Sequence, residues 1–451
     1  MLGWSRTLAG EWKAAPRTVQ VVVVVQILAI LVAGCLTAYE YRPWSVDESA
    51  HYDYVEYVAR EGRLPVLGRD LTHDDVLALS QGRYPQPTTL DPRTLGVFGQ
   101  SYEAFQPPLY YLAVAPFWFV TRDAGQRYKV LRLVGVGFLL ATVLVLLVLC
   151  RLLVGARWPM ALGFGLLVLL APGVLLRSAT IGNAALEPLV ATTFIVLCVL
   201  AWRRLSYRWL VLAAVGLGLC LLTRLVLGYL VPVFVGVAVA VWWRRGRRST
   251  ELPGVVGAGL IPLAMLAPWL IFNRVHYQSW TASELARRMQ QPIINPRHVD
   301  YTLLSTLKEI PTMTDFGIPQ EWRRLVLDRP WIGWSLGGLA IVVIPLTIVL
   351  IVAFRNRSFR DPRFLLCLAP LPIAIGALCV STAVSNWPQA ASRYTFGALP
   401  AWGVAAYCVY RHAFVRDREF ARFLAVLTVL TLCAMGALLY VAYFTSVTWK
   451  A

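Results

Sequence analysis

Two adjacent carboxylates and a histidine give this sequence its first candidate for chemistry. They stand in Ser45-Val46-Asp47-Glu48-Ser49-Ala50-His51, with Asp47 and His51 one helical turn apart. A carboxylate fixed at a helix start, at a membrane face, can act as a base on a lipid-borne substrate. The same residues also have a plainer use. Ser45 through Glu48 matches a capping box, and acids in a first turn suit the helix dipole. Arg224, in Leu222-Thr223-Arg224-Leu225, is a second candidate. An arginine inside an apolar segment is costly and defaults to a functional hypothesis, although here it could snorkel to the surface near Gly228. Metal-ligand spacing is missing: His276 and His298 do not form such a pair, and all eight Cys lie in apolar segments as small buried hydrophobes. No zinc site and no disulfide framework follow.

The elements that must position these residues are membrane helices. Of 451 residues 58% are hydrophobic and 15% charged, too apolar a composition for a soluble chain. Blocks such as 133–150, 159–176 and 423–444 are nearly free of charge and close to the ~20 residues that span a bilayer. They are too long, and too low in period-2 alternation, for an outer-membrane barrel. Candidate segments are 19–39, 107–121, 131–150, 158–176, 184–202, 208–228, 229–243, 254–272, 331–354, 364–382, 395–411 and 420–444. The expected fold class is all-α and polytopic, with about 11–13 spans. Segment 19–39 reads as an uncleaved first helix, since no A-x-A-like site follows it.

The net charge of +18 does not imply nucleic acid. The arginines cluster at helix ends, as in Arg203–Arg208, Arg244–Arg248, Arg355–Arg363 and Arg411–Arg422, together with Arg6, Lys13 and Arg17. The positive-inside rule puts these turns in the cytoplasm of a bacterial plasma membrane, with the N-terminus cytoplasmic and the polar regions 40–105 and 273–330 outside. Crossings between 40–105 and Arg203 must then be odd in number, yet four candidates lie there. The weakest, 107–121, is short and opens with Pro107-Pro108, so it is expected to be interfacial or re-entrant, which leaves Arg122, Arg127, Lys129 and Arg132 outside against the rule; the alternative is that 131–176 does not form two full spans. Three units follow: 1–272 with its external loop 40–105, the second external loop 273–330, and the C-terminal helices 331–451. The loop 40–105 holds 11 of the 24 acidic residues. Val46, Ala50, Tyr54 and Tyr57 recur at helical spacing there, which predicts a short amphipathic helix on the outer membrane surface with tyrosines at headgroup depth.

Four short motifs together resemble the GT-C class of membrane glycosyltransferases, more narrowly the family of protein O-mannosyltransferases, lipid A aminoarabinose transferases and their bacterial relatives. They are Val46-Asp47-Glu48-Ser49-Ala50-His51, Tyr102-Glu103-Ala104-Phe105-Gln106-Pro107-Pro108-Leu109, Ser178-Ala179-Thr180-Ile181-Gly182-Asn183-Ala184-Ala185-Leu186, and Ser392-Arg393-Tyr394 with Leu399-Pro400. The resemblance is clear over about 1–230 and looser beyond. It implies a polytopic enzyme that takes a sugar from a polyprenyl phosphate at the outer face and transfers it, with inversion, to a hydroxyl of a glycan, lipid or protein. Asp47 would be the general base and Glu48 its catalytic neighbour. His51, Glu103, Gln106, Asn183, Arg224, Arg393 and Tyr394 would bind substrate, with Arg224 and Arg393 stabilising the leaving lipid phosphate. The resemblance fixes no cofactor, and a divalent cation is left open. The chain departs from the family's pattern at Gly182-Asn183-Ala184, where an acidic position is lost, and at Gln106, where relatives often carry Lys or His. A transporter or flippase of lipid-linked sugars and a non-catalytic envelope scaffold are the other readings. Sparse buried charge and the lack of an inverted repeat speak against the transporter.

Overall fold

In the computed structural model the described residues are 2–40, 46–73, 76, 100–246, 249–282, 285–286, 362–385, 397–413 and 417–448. Among them the chain is helical, with a single isolated antiparallel bridge, Leu71–Gln100. It is an all-α polytopic membrane protein. Five stretches are long and apolar enough to cross a bilayer: Arg17–Tyr39, Ala124–Leu169, Asn183–Arg204, Leu225–Arg244 and Leu252–Tyr277.

A helix unforeseen in the sequence, α1 (Leu2–Ala14), precedes the first span, α2 (Arg17–Glu40). The Gln20 amide donates back to the carbonyls of Trp12 and Ala15, closing the turn between them. After α2 come α3 (Val46–Glu56) and a π turn, Tyr57–Glu61, ended by the left-handed Gly62. The second motif forms a 3-10 turn, Tyr102–Phe105. Next are α4 (Leu109–Val114) and a 3-10 turn, Ala115–Val120. At six residues each they rise about 21 Å together, short of the ~30 Å hydrocarbon core. Segment 107–121 is therefore too short to span, in keeping with the first of the two ways of meeting the crossing parity.

Three passes then follow: α5 (Ala124–Val154), the pair α6 (Trp158–Leu169) and α7 (Pro172–Ser178), and α8 (Glu187–Arg204). The predicted segment 158–176 is thus broken at Pro172, which has no N–H for a continuing helix. Next come α9 (Tyr207–Thr223), a 3-10 turn Leu225–Leu230, α10 (Val231–Arg244) and α11 (Leu252–Tyr277). The helices α12 (Pro362–Leu368), α13 (Pro370–Ser385), α14 (Leu399–Ala413) and α15 (Asp417–Thr448) complete the described chain. Segment 364–382 is likewise two helices, divided before Pro370. Segment 331–354 lies outside the described residues.

The bundle has two distinct ends. At one, Arg151 pairs with Glu11 at 2.7 Å, Trp12 stacks on Trp158, and Arg203 donates to the Leu152 carbonyl. Arg245 there donates to the Leu205 carbonyl and pairs with Glu251. This is the basic end. At the other, the loop end, the Leu67 N–H donates to the Tyr277 hydroxyl at 3.0 Å, and Ala50, Leu67, Tyr102, Ala104 and Ala286 form one apolar cluster. The beginnings of both polar regions therefore meet at the loop end. Arg127, Lys129 and Arg132 also lie near it, against the charge rule, and each is occupied locally. Arg127 sits over Trp118 and donates to the carbonyls of Trp118, Thr121 and Arg122. Lys129 lies over the Tyr39 ring, and Arg132 pairs with Glu48.

The described cysteines are free. Cys150, Cys198, Cys220 and Cys367 are buried as expected, whereas Cys433 is exposed on α15, where the helix turns an apolar face outward.

Candidate functional site

The site is built around α3, and one expectation about that helix is corrected. Every residue from Glu48 to Tyr57 is buried, so α3 is not an amphipathic helix on the membrane surface. The helical spacing of Val46, Ala50 and Tyr54 is that of α3. What it could not give was the cover, supplied by Tyr102–Phe105, Leu109–Val120 and the start of α5. Tyr52 lies against Trp118 and Tyr128, and Tyr54 stacks on Tyr111 at 3.6 Å and 9°. These rings are packed between helices rather than laid on a surface.

Glu48 anchors the helix. Its two carboxylate oxygens accept from Nε and Nη2 of Arg132, each at 2.8 Å, and one oxygen also accepts the Ile181 N–H at 2.9 Å. Arg132 and Glu48 are 1% and 2% exposed, so the pair is dry and its geometry is the bidentate one that makes burying two charges tolerable. Arg132 further donates to the Tyr128 hydroxyl and lies over its ring. The Glu48 carboxylate thus faces α5 and the third motif rather than closing a capping box; Ser45 lies outside the described residues.

One turn on, His51 Nδ1 and the Tyr111 hydroxyl share a hydrogen bond of 2.7 Å. The imidazole fills the space at Gly182, where an added Cβ would stand 2.9 Å from His51 Cδ2. The φ of Gly182 is an extended one, so the glycine is required by room for this ring and not by backbone conformation. The second motif joins through Gln106. Its carbonyl accepts from the Tyr54 hydroxyl at 3.2 Å, and its side-chain oxygen accepts from Asn183 Nδ2 at 3.1 Å. Glu103, also buried, lies in the same 3-10 turn. The structure therefore brings together Glu48, His51, Glu103, Gln106 and Asn183 from the first three motifs.

Arg224 ends α9, where the backbone turns extended, and does not sit within a helix. Its guanidinium donates to Glu187 at 3.0 Å, and both side chains are buried. Arg224 therefore balances an internal charge instead of snorkelling. Of the fourth motif, Leu399-Pro400 opens α14, and a Cβ added at the nearby Gly397 would meet Leu227 and Tyr229 of the turn after Arg224. Arg393 and Tyr394 lie outside the described residues, as do His298 and the side chain of Asp47, whose backbone forms the first turn of α3. His276 is helical, beside Phe272 in α11. Among the described residues no three His, Cys, Asp or Glu side chains gather as for a metal ion.

Sequence reasoning missed three features of this region. Arg132 looked like one more basic residue at a helix start, and Tyr111 like one of many tyrosines. The third is a polar cluster on the outer part of α3. His73 Nδ1 and its backbone N–H bind Asp53 Oδ1 at 2.8 and 2.9 Å, Glu56 lies 3.9 Å from Nδ1, and Nε2 meets Glu61 at 3.2 Å. Burial alone would lower the His73 pKa. The hydrogen bond to Asp53, with Glu56 and Glu61 nearby, outweighs burial and raises it to about 9. Asp70 closes the preceding loop: it accepts the Val66 N–H at 2.7 Å and pairs with Arg63 and Arg69. Burial opposes its charge, but these donors hold its carboxyl below the usual range.

No family model and no curated protein matches the chain. Solved structures do. The chain is similar to ArnT from Cupriavidus metallidurans bound to undecaprenyl phosphate, with a TM-score of 0.51 at 17% identity, over 86% of this chain and 60% of that one. The fold is GT-C-like. The chain is also similar to the archaeal oligosaccharyltransferase AglB from Archaeoglobus fulgidus in complex with an inhibitory peptide and a dolichol-phosphate, with a TM-score of 0.46 at 16% identity, over 93% of this chain and 56% of that one. The chain thus spans about 60% of the length of the first of these proteins.

Proposed function

We propose that this GT-C-like protein is an inverting glycosyltransferase using a polyprenyl-phosphate sugar donor on the extracytoplasmic face of the membrane. The observation that carries the reading is the convergence of three motifs far apart in sequence. Glu48 meets Ile181, His51 meets Tyr111 and Gly182, and Gln106 meets both Tyr54 and Asn183. That convergence holds rigid the helix whose first turn carries Asp47. The fold likeness to a protein solved with undecaprenyl phosphate supports the donor class.

In the proposed reaction Asp47 takes the proton of the acceptor hydroxyl. The freed oxygen pair bonds to the anomeric carbon as the bond from that carbon to the phosphate oxygen breaks. The lipid phosphate leaves with that electron pair, and the anomeric centre inverts. Glu48, committed to Arg132, positions the helix. Arg393 and Tyr394 are proposed to meet the phosphate, and Arg224 to act beside them from its pair with Glu187. A divalent cation remains compatible with this scheme, and a chelator titration of transfer tests for one.

Asp47→Asn in membranes supplied with donor lipid is expected to lower transfer by about 10²–10⁴-fold, with unchanged membrane abundance. NMR of the wild-type product is expected to give the anomer opposite to the donor's. Transfer at the wild-type rate in Asp47→Asn would remove the base from this position.

A further inference from the structure

At the basic end of the bundle, α8 and α10 leave a groove of about 560 Å³ between them. Trp202, Gly236, Val239, Ala240, Trp243 and Arg244 line it. Its floor is apolar, and Val239 and Trp243 are exposed. Both helices belong to stretches long and apolar enough to cross a bilayer, so this surface suits contact with an acyl chain. Its mouth differs in chemistry. The Arg244 guanidinium lies 5.0 Å from the centre of the Trp202 ring. The next residue, Arg245, is committed to Glu251 and to the Leu205 carbonyl. Arg244 is exposed and pairs with no carboxylate among the described residues.

We propose that this groove binds one anionic glycerophospholipid of the leaflet at the basic end. Its acyl chain lies along Gly236, Val239 and Ala240, and its phosphate sits on Arg244. The charge complementarity is specific. A guanidinium presents parallel N–H donors that match phosphate oxygens, and Trp at this depth favours the boundary between headgroup and chain. The site is at the end opposite the proposed reaction centre, so it is separate from the donor lipid's site and does not depend on the proposed activity.

Gly236 offers a direct test. A Cβ built there has nothing within 4 Å, so Gly236→Leu fills the groove without displacing the fold. The full chain, purified into nanodiscs of mixed phosphatidylglycerol and phosphatidylcholine, is released from them in a mass spectrometer and its retained lipids counted. Wild type is expected to retain one phosphatidylglycerol in preference to phosphatidylcholine. Gly236→Leu should lose it. Arg244→Gln should retain it about fivefold less, the loss of one basic residue's attraction to an anionic lipid. Thermal unfolding in detergent checks that both variants are folded. Retention in either variant equal to wild type overturns the proposal, as does equal retention of the zwitterionic lipid. Two other outcomes also overturn it: a dimer lost in Gly236→Leu, which gives the groove to a second copy, and displacement of the retained lipid by an equimolar polyprenyl phosphate.

Discussion

Glu48 and Asp47 are neighbours in sequence but have different work. Glu48 has a dry guanidinium on both its oxygens and a backbone N–H besides. Removing one partner of such a pair leaves an uncompensated buried charge, at a cost of about 3–5 kcal/mol. Glu48→Gln and Arg132→Met are therefore each expected to lower stability by about that amount, and the double variant Glu48→Gln/Arg132→Met by less than the sum. Chemical unfolding in detergent measures both. If Glu48→Gln unfolds like wild type yet loses transfer, the carboxylate belongs to the chemistry and not to the scaffold. The pair was not legible in the sequence. Its partners stand 84 residues apart, Glu48 had a sufficient local explanation as a cap, and Arg132 resembled any basic residue at the edge of an apolar run. Asn183 and Gln106 were legible as motif members, but their mutual hydrogen bond was not.

Two elements depend on close contacts that can be tested separately. At Gly135, in α5, an added Cβ would stand 2.3 Å from the Ser178 carbonyl oxygen, so α7 can approach only a glycine. Gly135→Ala is expected to cost about 1–3 kcal/mol. Gly137→Ala, two residues on in open space, should be neutral or gain up to about 1 kcal/mol in helix propensity. Equal effects in unfolding assays would remove the close approach as the cause. The strap of residues 62–73 is the second element. Protonated His73 ties it to Asp53, Glu56 and Glu61. Because its folded pKa, about 9, lies above the unfolded 6.5, the tie is fully present below pH 6.5 and is lost as pH rises through 9. Protease cleavage within the strap is expected to rise between pH 7 and 10 in wild type and to stay flat in His73→Gln. A flat wild-type profile would leave the strap held by Asp70 and its arginines alone. At this scale the sequence was a good guide to helices and a poor one to breaks. Hydropathy marked where spans run, because a bilayer demands long apolar stretches. The break at Pro172 depends on what the neighbouring helices leave room for, and the burial of α3 on covering segments that are distant in sequence, whereas the turn marked between 208–228 and 229–243 falls within the 3-10 turn Leu225–Leu230.

At the scale of the molecule, the two ends of the bundle were readable from arginine placement, and the packing explains the exceptions. Near the loop end Arg127, Lys129 and Arg132 sit on rings, carbonyls or Glu48, so these three add little free charge for the positive-inside rule to count, whereas the Arg122 side chain is exposed. With 107–121 removed as a span, α5, the α6–α7 pair and α8 make three passes between the loop end and Arg203. Both polar regions then share one side, and the turn between α10 and α11 lies on the other. Three single cysteines in a background without the eight native ones test this: Leu71→Cys and Ser279→Cys at the loop end, and Thr250→Cys at the basic end. A membrane-impermeant maleimide added to intact spheroplasts is expected to label positions 71 and 279 and to reach 250 only after lysis. Labelling of 250 in intact spheroplasts would invert the molecule and put the proposed reaction on the cytoplasmic face. Labelling of 71 without 279 would separate the two polar regions and break the contact between Leu67 and Tyr277 on which their shared side rests.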